Sequence, residues 1–149
     1  MADTHRFPFR EEGNPPKPRP TIDVELRFGP NGQWRTSALI DTGSPITVFD
    51  YGTAEALLVR FGHLGAETTS IKLLGKHPII QFEHVDLSIV RDPTASWSAR
   101  VGFITDRSFE MPFQGILGIN GFLDRWAVTF NAYYGYFLLQ HPDDALDVE

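Results

Sequence analysis

From residue 22 to 28 the chain alternates strictly: Ile22, Val24, Leu26 and Phe28 are apolar, and Asp23, Glu25 and Arg27 between them are charged. Successive side chains of a strand point to opposite faces, so a period of two predicts a strand with one buried face. Gly29-Pro30-Asn31-Gly32 is a turn cluster, and 34–40 returns as the second strand of a hairpin, ending in the apolar run Ala38-Leu39-Ile40. A short strand is expected over 47–49. Thr53 can cap a helix over 54–61, stopped by Gly62. Strands are expected over 68–74 and 77–90, divided by Gly75-Lys76, with Val85, Leu87 and Ile89 alternating against His84, Asp86 and Ser88. Asp92-Pro93 reads as a break, and Trp97, Ala99, Val101 and Phe103 resume the alternation.

The remaining stretch reads as a loop over 105–114, a buried strand end over 115–118, a short helix over 120–125 and a closing hairpin of 127–130 with 136–139. Many strands at short spacing, without a strand–helix–strand rhythm, predict a mostly β domain. The expected architecture is closed and barrel-like or else sandwich-like, with one or two short helices. Pro8, Pro15, Pro16, Pro18 and Pro20 remove backbone donors from 1–20, so an extended, flexible arm without regular structure is expected there. The domain proper is expected over 21–140, followed by an acidic tail over 141–149.

Composition narrows the chemistry. The 149 residues suit one domain, and 19 acidic against 13 basic residues argue against a nucleic-acid partner. The absence of cysteine removes disulfides, thiolate nucleophiles and cysteine-held zinc. The five histidines, His5, His63, His77, His84 and His141, show no zinc-binding spacing, so no metal or other cofactor is implied. No secretory signal and no apolar run long enough to span a membrane is visible, so a cytoplasmic protein without a membrane partner is the expectation.

The segment that carries chemistry is Leu39-Ile40-Asp41-Thr42-Gly43-Ser44. A carboxylate directly after an apolar strand end, before a glycine turn, is a charge placed where burial penalises it. Thr42 and Ser44 supply hydroxyls beside it, and Gly43 permits close backbone approach. Taken alone, the tetrapeptide is equally well a β-turn with Asp in its first position.

Ala38 to Phe49 resembles the active-site strand and loop of the aspartic proteases. Gly115-Ile116-Leu117-Gly118-Ile119-Asn120-Gly121-Phe122-Leu123 resembles the second signature of that family, whose strand buttresses the catalytic loop. Order and separation match a single retropepsin-like lobe over about residues 20–140. The resemblance implies an aspartic endopeptidase acting on peptide or protein substrates, with Asp41 as catalytic residue. Two-lobed relatives carry two Asp-Thr-Gly motifs and this chain carries one, so the family chemistry implies a homodimer with one Asp41 from each copy.

By the same resemblance, Thr42 bonds across the dimer axis, Gly43 offers its backbone to substrate and Ser44 orients the carboxylate. Ile46 and Ile116 line substrate pockets, and a flap around 68–82, with Leu74 and Gly75 at its tip, closes over the peptide. Gly62 to Gly65 is the competing flap position. Gly115, Ile116, Leu117, Gly118 and Asn120 form the buttress. Retroviral members pair an Asp after the loop with an Arg before the Asn; the corresponding positions here are Pro45 and Ile119. Retroviral chain ends also interleave into a shared sheet, whereas these ends are a proline-rich arm and an acidic tail. That difference keeps open a catalytically silent module that binds peptide or protein partners or mediates dimerisation.

Overall fold

The computed structural model describes residues 4–141. In chain order its elements are β1 (Thr4–Pro8), β2 (Arg10–Glu12), β3 (Lys17–Arg19), β4 (Thr21–Phe28), β5 (Gly32–Ile40), β6 (Val48–Phe49), α1 (Tyr51–Ala56), β7 (Glu67–Ser70), β8 (Ile79–Ile89), β9 (Asp92–Ile104), β10 (Gly115–Leu117), β11 (Ala127–Asn131) and β12 (Tyr136–Gln140).

The alternating segment is β4, and it pairs antiparallel with β5 from Thr21↔Leu39 to Phe28↔Gly32. Ile22, Val24 and Leu26 are fully buried, as the period of two predicts. Glu25 departs from the pattern: it belongs to the polar face, yet is only 6% exposed. Arg35, Gln33 and Arg27 cover it, donating to its carboxylate at 3.0, 3.0 and 3.1 Å. These bonds, led by that from Arg35, hold the Glu25 carboxyl below its ordinary pKa despite its burial.

Hydrogen-bonded neighbours run β4–β5–β10–β6–β9–β8, and β8 pairs back onto β4, so these strands close into a ring. A closed ring leaves no internal edge unpaired. These strands supply most of one large apolar cluster, with Leu26, Phe49, Leu87 and Phe103 among its fully buried side chains, and Phe122 joins it from the turn before β11. Burial of each such side chain contributes about 1.5–3 kcal/mol. A smaller apolar cluster, Val48, Ile80, Ile104 and Ile116, lies apart from it. Among the described residues no helix is long and apolar enough to cross a membrane.

Several local expectations are corrected. Residues 4–19 are not an arm without regular structure. Strand β1 pairs with β12 from Thr4↔Gln140 to Pro8↔Tyr136, and β2 and β3 form a small ribbon. In β1 proline is tolerated because Pro8 ends the strand, while Phe7 is buried and stacks on Phe137 at 5.4 Å. The cap of α1 is Asp50, whose Oδ1 accepts from Thr53 N at 2.9 Å and Thr53 Oγ1 at 2.7 Å. The helix ends at Ala56 rather than continuing to 61, and Leu58 takes φ 64° just beyond it. Residues 121–125 form hydrogen-bonded turns, not a second helix. The break between the long strands falls at Val90-Arg91, so Asp92 and Pro93 already belong to β9. Of the expected acidic tail, 142–149 lie outside the described residues.

Candidate active site

Asp41 stands immediately after β5, where the strand is held from two sides. Ile40 N donates to Pro20 O, and Asp41 N donates to Leu117 O at the end of β10, both at 2.9 Å. The chain then turns sharply. Gly43 N donates to Asp41 Oδ1 at 2.9 Å and Ser44 N to Asp41 O at 3.1 Å. The carboxylate is half-buried, while Thr42 and Gly43 are exposed. A carboxylate with one oxygen fixed by a backbone N–H has a defined orientation.

Strand β10 passes beside this loop, parallel to β5 in the register Gly115↔Ala38 to Leu117↔Ile40, and antiparallel to β6. The chain beyond it stays locked to the loop. Gly118 N donates to Thr47 Oγ1 at 3.1 Å, Ile119 N to Ser44 O at 2.8 Å, Asn120 N to Pro45 O at 3.1 Å, and Thr47 N to Asn120 O at 3.0 Å. The two glycines flanking Ile116-Leu117 are steric requirements. A Cβ on Gly118 would lie 2.1 Å from Ile46 O, and one on Gly115 would lie 2.5 Å from the Phe49 ring. Main-chain bonds at Ser44 and Pro45 thus join the loop to the turn, next to the positions where an ion pair is absent.

The remaining expected site residues fall into three groups. Ser44 Oγ donates to Ile46 O at 2.7 Å, so its hydroxyl braces the loop backbone rather than the carboxylate as the resemblance implied. Ile46 and Ile116 meet at the smaller apolar cluster, together with Ile71, Leu73, Phe82, Phe109 and Met111. Leu74 and Gly75 form the tip of a tight hairpin. Leu73 and Lys76 exchange backbone hydrogen bonds of 2.8 and 3.1 Å, and the two residues between them have φ 54° and 74°. Two successive positive φ values mark a type I′ turn, whose twist suits a two-residue hairpin. The legs of this hairpin reach the cluster through Ile71 and Leu73, while Leu74 stands 59% exposed.

Gly62 and Gly65, the competing tip, lie instead in the connection between α1 and β7. That connection is tied to β8. Buried Gln81 accepts from Gly62 N at 3.0 Å and donates to Arg60 O at 3.1 Å. His63 Nε2 lies 3.0 Å from both Glu83 oxygens, and Nδ1 lies 3.0 Å from Leu64 O. Both ring nitrogens face acceptors, which favours the doubly protonated imidazolium. The bond to Glu83 accordingly raises the His63 pKa.

Two residues that position the site have no sequence signal of their own. Thr47 looks like an ordinary strand residue, yet its side chain, N–H and carbonyl bond Gly118, Asn120 and Gly102. Gln114 accepts from Thr36 Oγ1 at 2.8 Å and Ser37 N at 3.2 Å, and its carbonyl accepts from Asp50 N, fastening the strand before Asp41 to the start of α1.

No protein-family model matches the chain, and no curated protein is similar to it in sequence. A solved structure, a retropepsin-like aspartic protease from Rickettsia conorii, matches with a TM-score of 0.62 at 12% identity, over 95% of this chain and 94% of that one. At this identity the likeness is one of fold: the chain has the single-lobed retropepsin-like fold.

Proposed function

We propose that this chain is an aspartic-type endopeptidase, active as a homodimer, in which water is activated between the Asp41 carboxylates of two copies. The observation that carries this is the setting of Asp41. It follows a strand locked by β10, half-buried, with one oxygen held by Gly43 N–H and the loop pinned to the 118–120 backbone. Two carboxylates held about 3 Å apart cannot both ionise, and aspartic proteases exemplify the shared proton that results. The ionised member takes a proton from water, and the protonated member polarises the scissile carbonyl. Water attacks without a covalent intermediate, and the leaving amine takes the proton. The apparent pKa values belong to the pair and not to either residue. The 68–82 hairpin, whose legs already reach the cluster of Ile46 and Ile116, serves as the flap that excludes water.

The test is cleavage of a diverse peptide mixture across about pH 3.5–7, with wild type and Asp41→Asn side by side and products read by mass spectrometry. Cuts made by wild type alone support the proposal, and cuts surviving in Asp41→Asn overturn it. The alternative, a module that binds peptide without cutting, is favoured by one observation: β1 already pairs with β12 of its own chain, so that strand is not offered to a second copy. A proven dimer that binds peptides and cuts none would decide for that alternative.

A further inference from the structure

The apolar cluster beside the Asp41 loop does not end at Ile46. A Cβ on Gly102 would meet Ile80 Cδ1 at 3.0 Å, Phe82 Cε1 at 3.6 Å and Ile46 Cδ1 at 3.7 Å. These three side chains converge over the bare backbone of Gly102, so the apolar floor runs on from Ile46 to the Phe82 ring. The register of β8 and β9 sets Phe82 opposite Gly102 and His84 opposite Arg100, and all four positions share one face of the sheet. Arg100 lies over the Phe82 ring, its guanidinium carbon 3.6 Å from the centroid. Asn120 and Arg125, from the turn after β10, wall the same space. The result is an open groove of about 580 Å³, apolar at Ile46 and Phe82 and flanked by Arg100, Arg125 and His84. Its backbone is joined to the Asp41 loop: Gly102 N donates to Thr47 O at 2.9 Å, and Thr47 N donates to Asn120 O at 3.0 Å.

We infer that this groove is an outlying substrate subsite that takes an acidic side chain of the bound peptide, with Arg100 and Arg125 as its recognising cations. This rests on the endopeptidase reading above and names a substrate preference for it. Three observations select a carboxylate. The chain itself already places one there: Glu67, at the root of the 68–82 hairpin and opposite Phe82 in the register of β7 and β8, accepts from Arg100 Nη2 at 2.7 Å. The two side chains are 42% and 72% exposed, so their pairing is worth about 1 kcal/mol or less and exchanges for another carboxylate. Next, the second cation is uncommitted. Arg125 has no closer charge partner among the described residues than Asp124 at 3.7 Å, and Asp124 Oδ1 already accepts from Gly121 N at 3.1 Å. Finally, the charge is local. The chain carries a net charge of -6, yet the lining of this groove holds two arginines and a histidine against a single aspartate. A peptide laid along Ile46 therefore meets an apolar floor first and a cationic rim beyond it.

The experiment uses C-terminally amidated peptide pools in which one Glu is walked through each position of an uncharged random background, with matching Gln and Lys pools. Cleavage by the full chain and capture by immobilised Asp41→Asn are both read by mass spectrometry, and circular dichroism checks that every variant folds. At one fixed position away from the residues flanking the cut, Glu should be favoured over Gln by at least about threefold, the size of an exposed charge pair. That preference should shrink at high salt and in Arg125→Ala, and Arg125→Glu should turn it toward Lys, which loss of structure alone does not do. Glu67→Gln, which frees Arg100, should strengthen it. Equal treatment of Glu and Gln at every position, or a preference that survives unchanged in both Arg125 variants, would overturn the inference. The two proposals fail separately. Cleavage indifferent to Glu discards the subsite and keeps the endopeptidase. Arg125-dependent capture of the Glu pool without any cutting keeps the subsite and discards the endopeptidase, and pools neither cut nor captured overturn both.

Discussion

Gly118→Ala offers a demanding test of how the Asp41 loop is held. The added methyl carbon would lie 2.1 Å from Ile46 O and 2.5 Å from Ser44 O, both main-chain atoms that no side-chain rotation can move away. Relief requires the loop and the chain after β10 to separate by roughly 1 Å, which turns ordinary hydrogen bonds into broken ones. The bonds at risk are Ile119 N to Ser44 O, Asn120 N to Pro45 O and Thr47 N to Asn120 O, now 2.8, 3.1 and 3.0 Å. At about 1 kcal/mol for each net hydrogen bond, the cost is about 3 kcal/mol. For a chain of this size that lowers the melting temperature by roughly 10 °C. Gly75→Ala is the control: its φ of +74° strains any side chain, but no atom lies within 4 Å of the new carbon, so only about 1 kcal/mol is expected. Urea unfolding of both variants, compared at equal slope, measures the difference. A Gly118→Ala protein no less stable than Gly75→Ala would refute the steric account of the buttress.

Other outcomes follow from groups already described. Glu25 has a lowered pKa in the folded protein, so its contribution is complete above the ordinary value of 4.5 and is lost as pH falls through the folded value. Glu25→Gln should therefore flatten the acid limb of a stability–pH curve, and an unchanged limb would count against this. His63 has the opposite sign. Its raised pKa gives a contribution complete below 6.5 that disappears as pH rises through the folded value. An NMR titration should place His63 above the ordinary histidine value and move it down in Glu83→Gln. Asp50→Ala removes the cap of α1 and should cost about 1 kcal/mol in chemical unfolding, whereas Thr53→Val should cost less because Thr53 is not the cap.

The strands and the candidate site were legible in the chain for different reasons. Alternation in 22–28 and 85–89 is a property of neighbours two apart, and it survives because one face of each strand is buried in the ring. The hairpin tip at Leu74-Gly75 was legible from a single glycine between two strand-like runs. The Asp41 segment and the 115–123 segment could be linked from residue identity, and in the second of them Gly115 and Gly118 stand where a Cβ does not fit. Residues 4–19 misled because proline composition reports which bonds a chain cannot donate. It does not report which partners it will meet, and β12 lies more than a hundred positions away in sequence.

What the sequence determined by itself was therefore the local and the sterically exclusive: strand periodicity, turn positions, the Asp-Thr-Gly-Ser loop and the glycines of its buttress. What only the tertiary structure decided was the choice among competing partners. Asp50 takes the cap that Thr53 was equally able to supply, and Ser44 spends its hydroxyl on Ile46 O instead of on Asp41. Glu25 is buried under two arginines and a glutamine that alternation alone would have left in solvent. Each of these groups has several acceptors or donors within reach along the chain, with net energies that differ by about 1 kcal/mol or less. The balance is struck by which backbone the closed ring of strands brings alongside, and that is not a property of neighbouring residues.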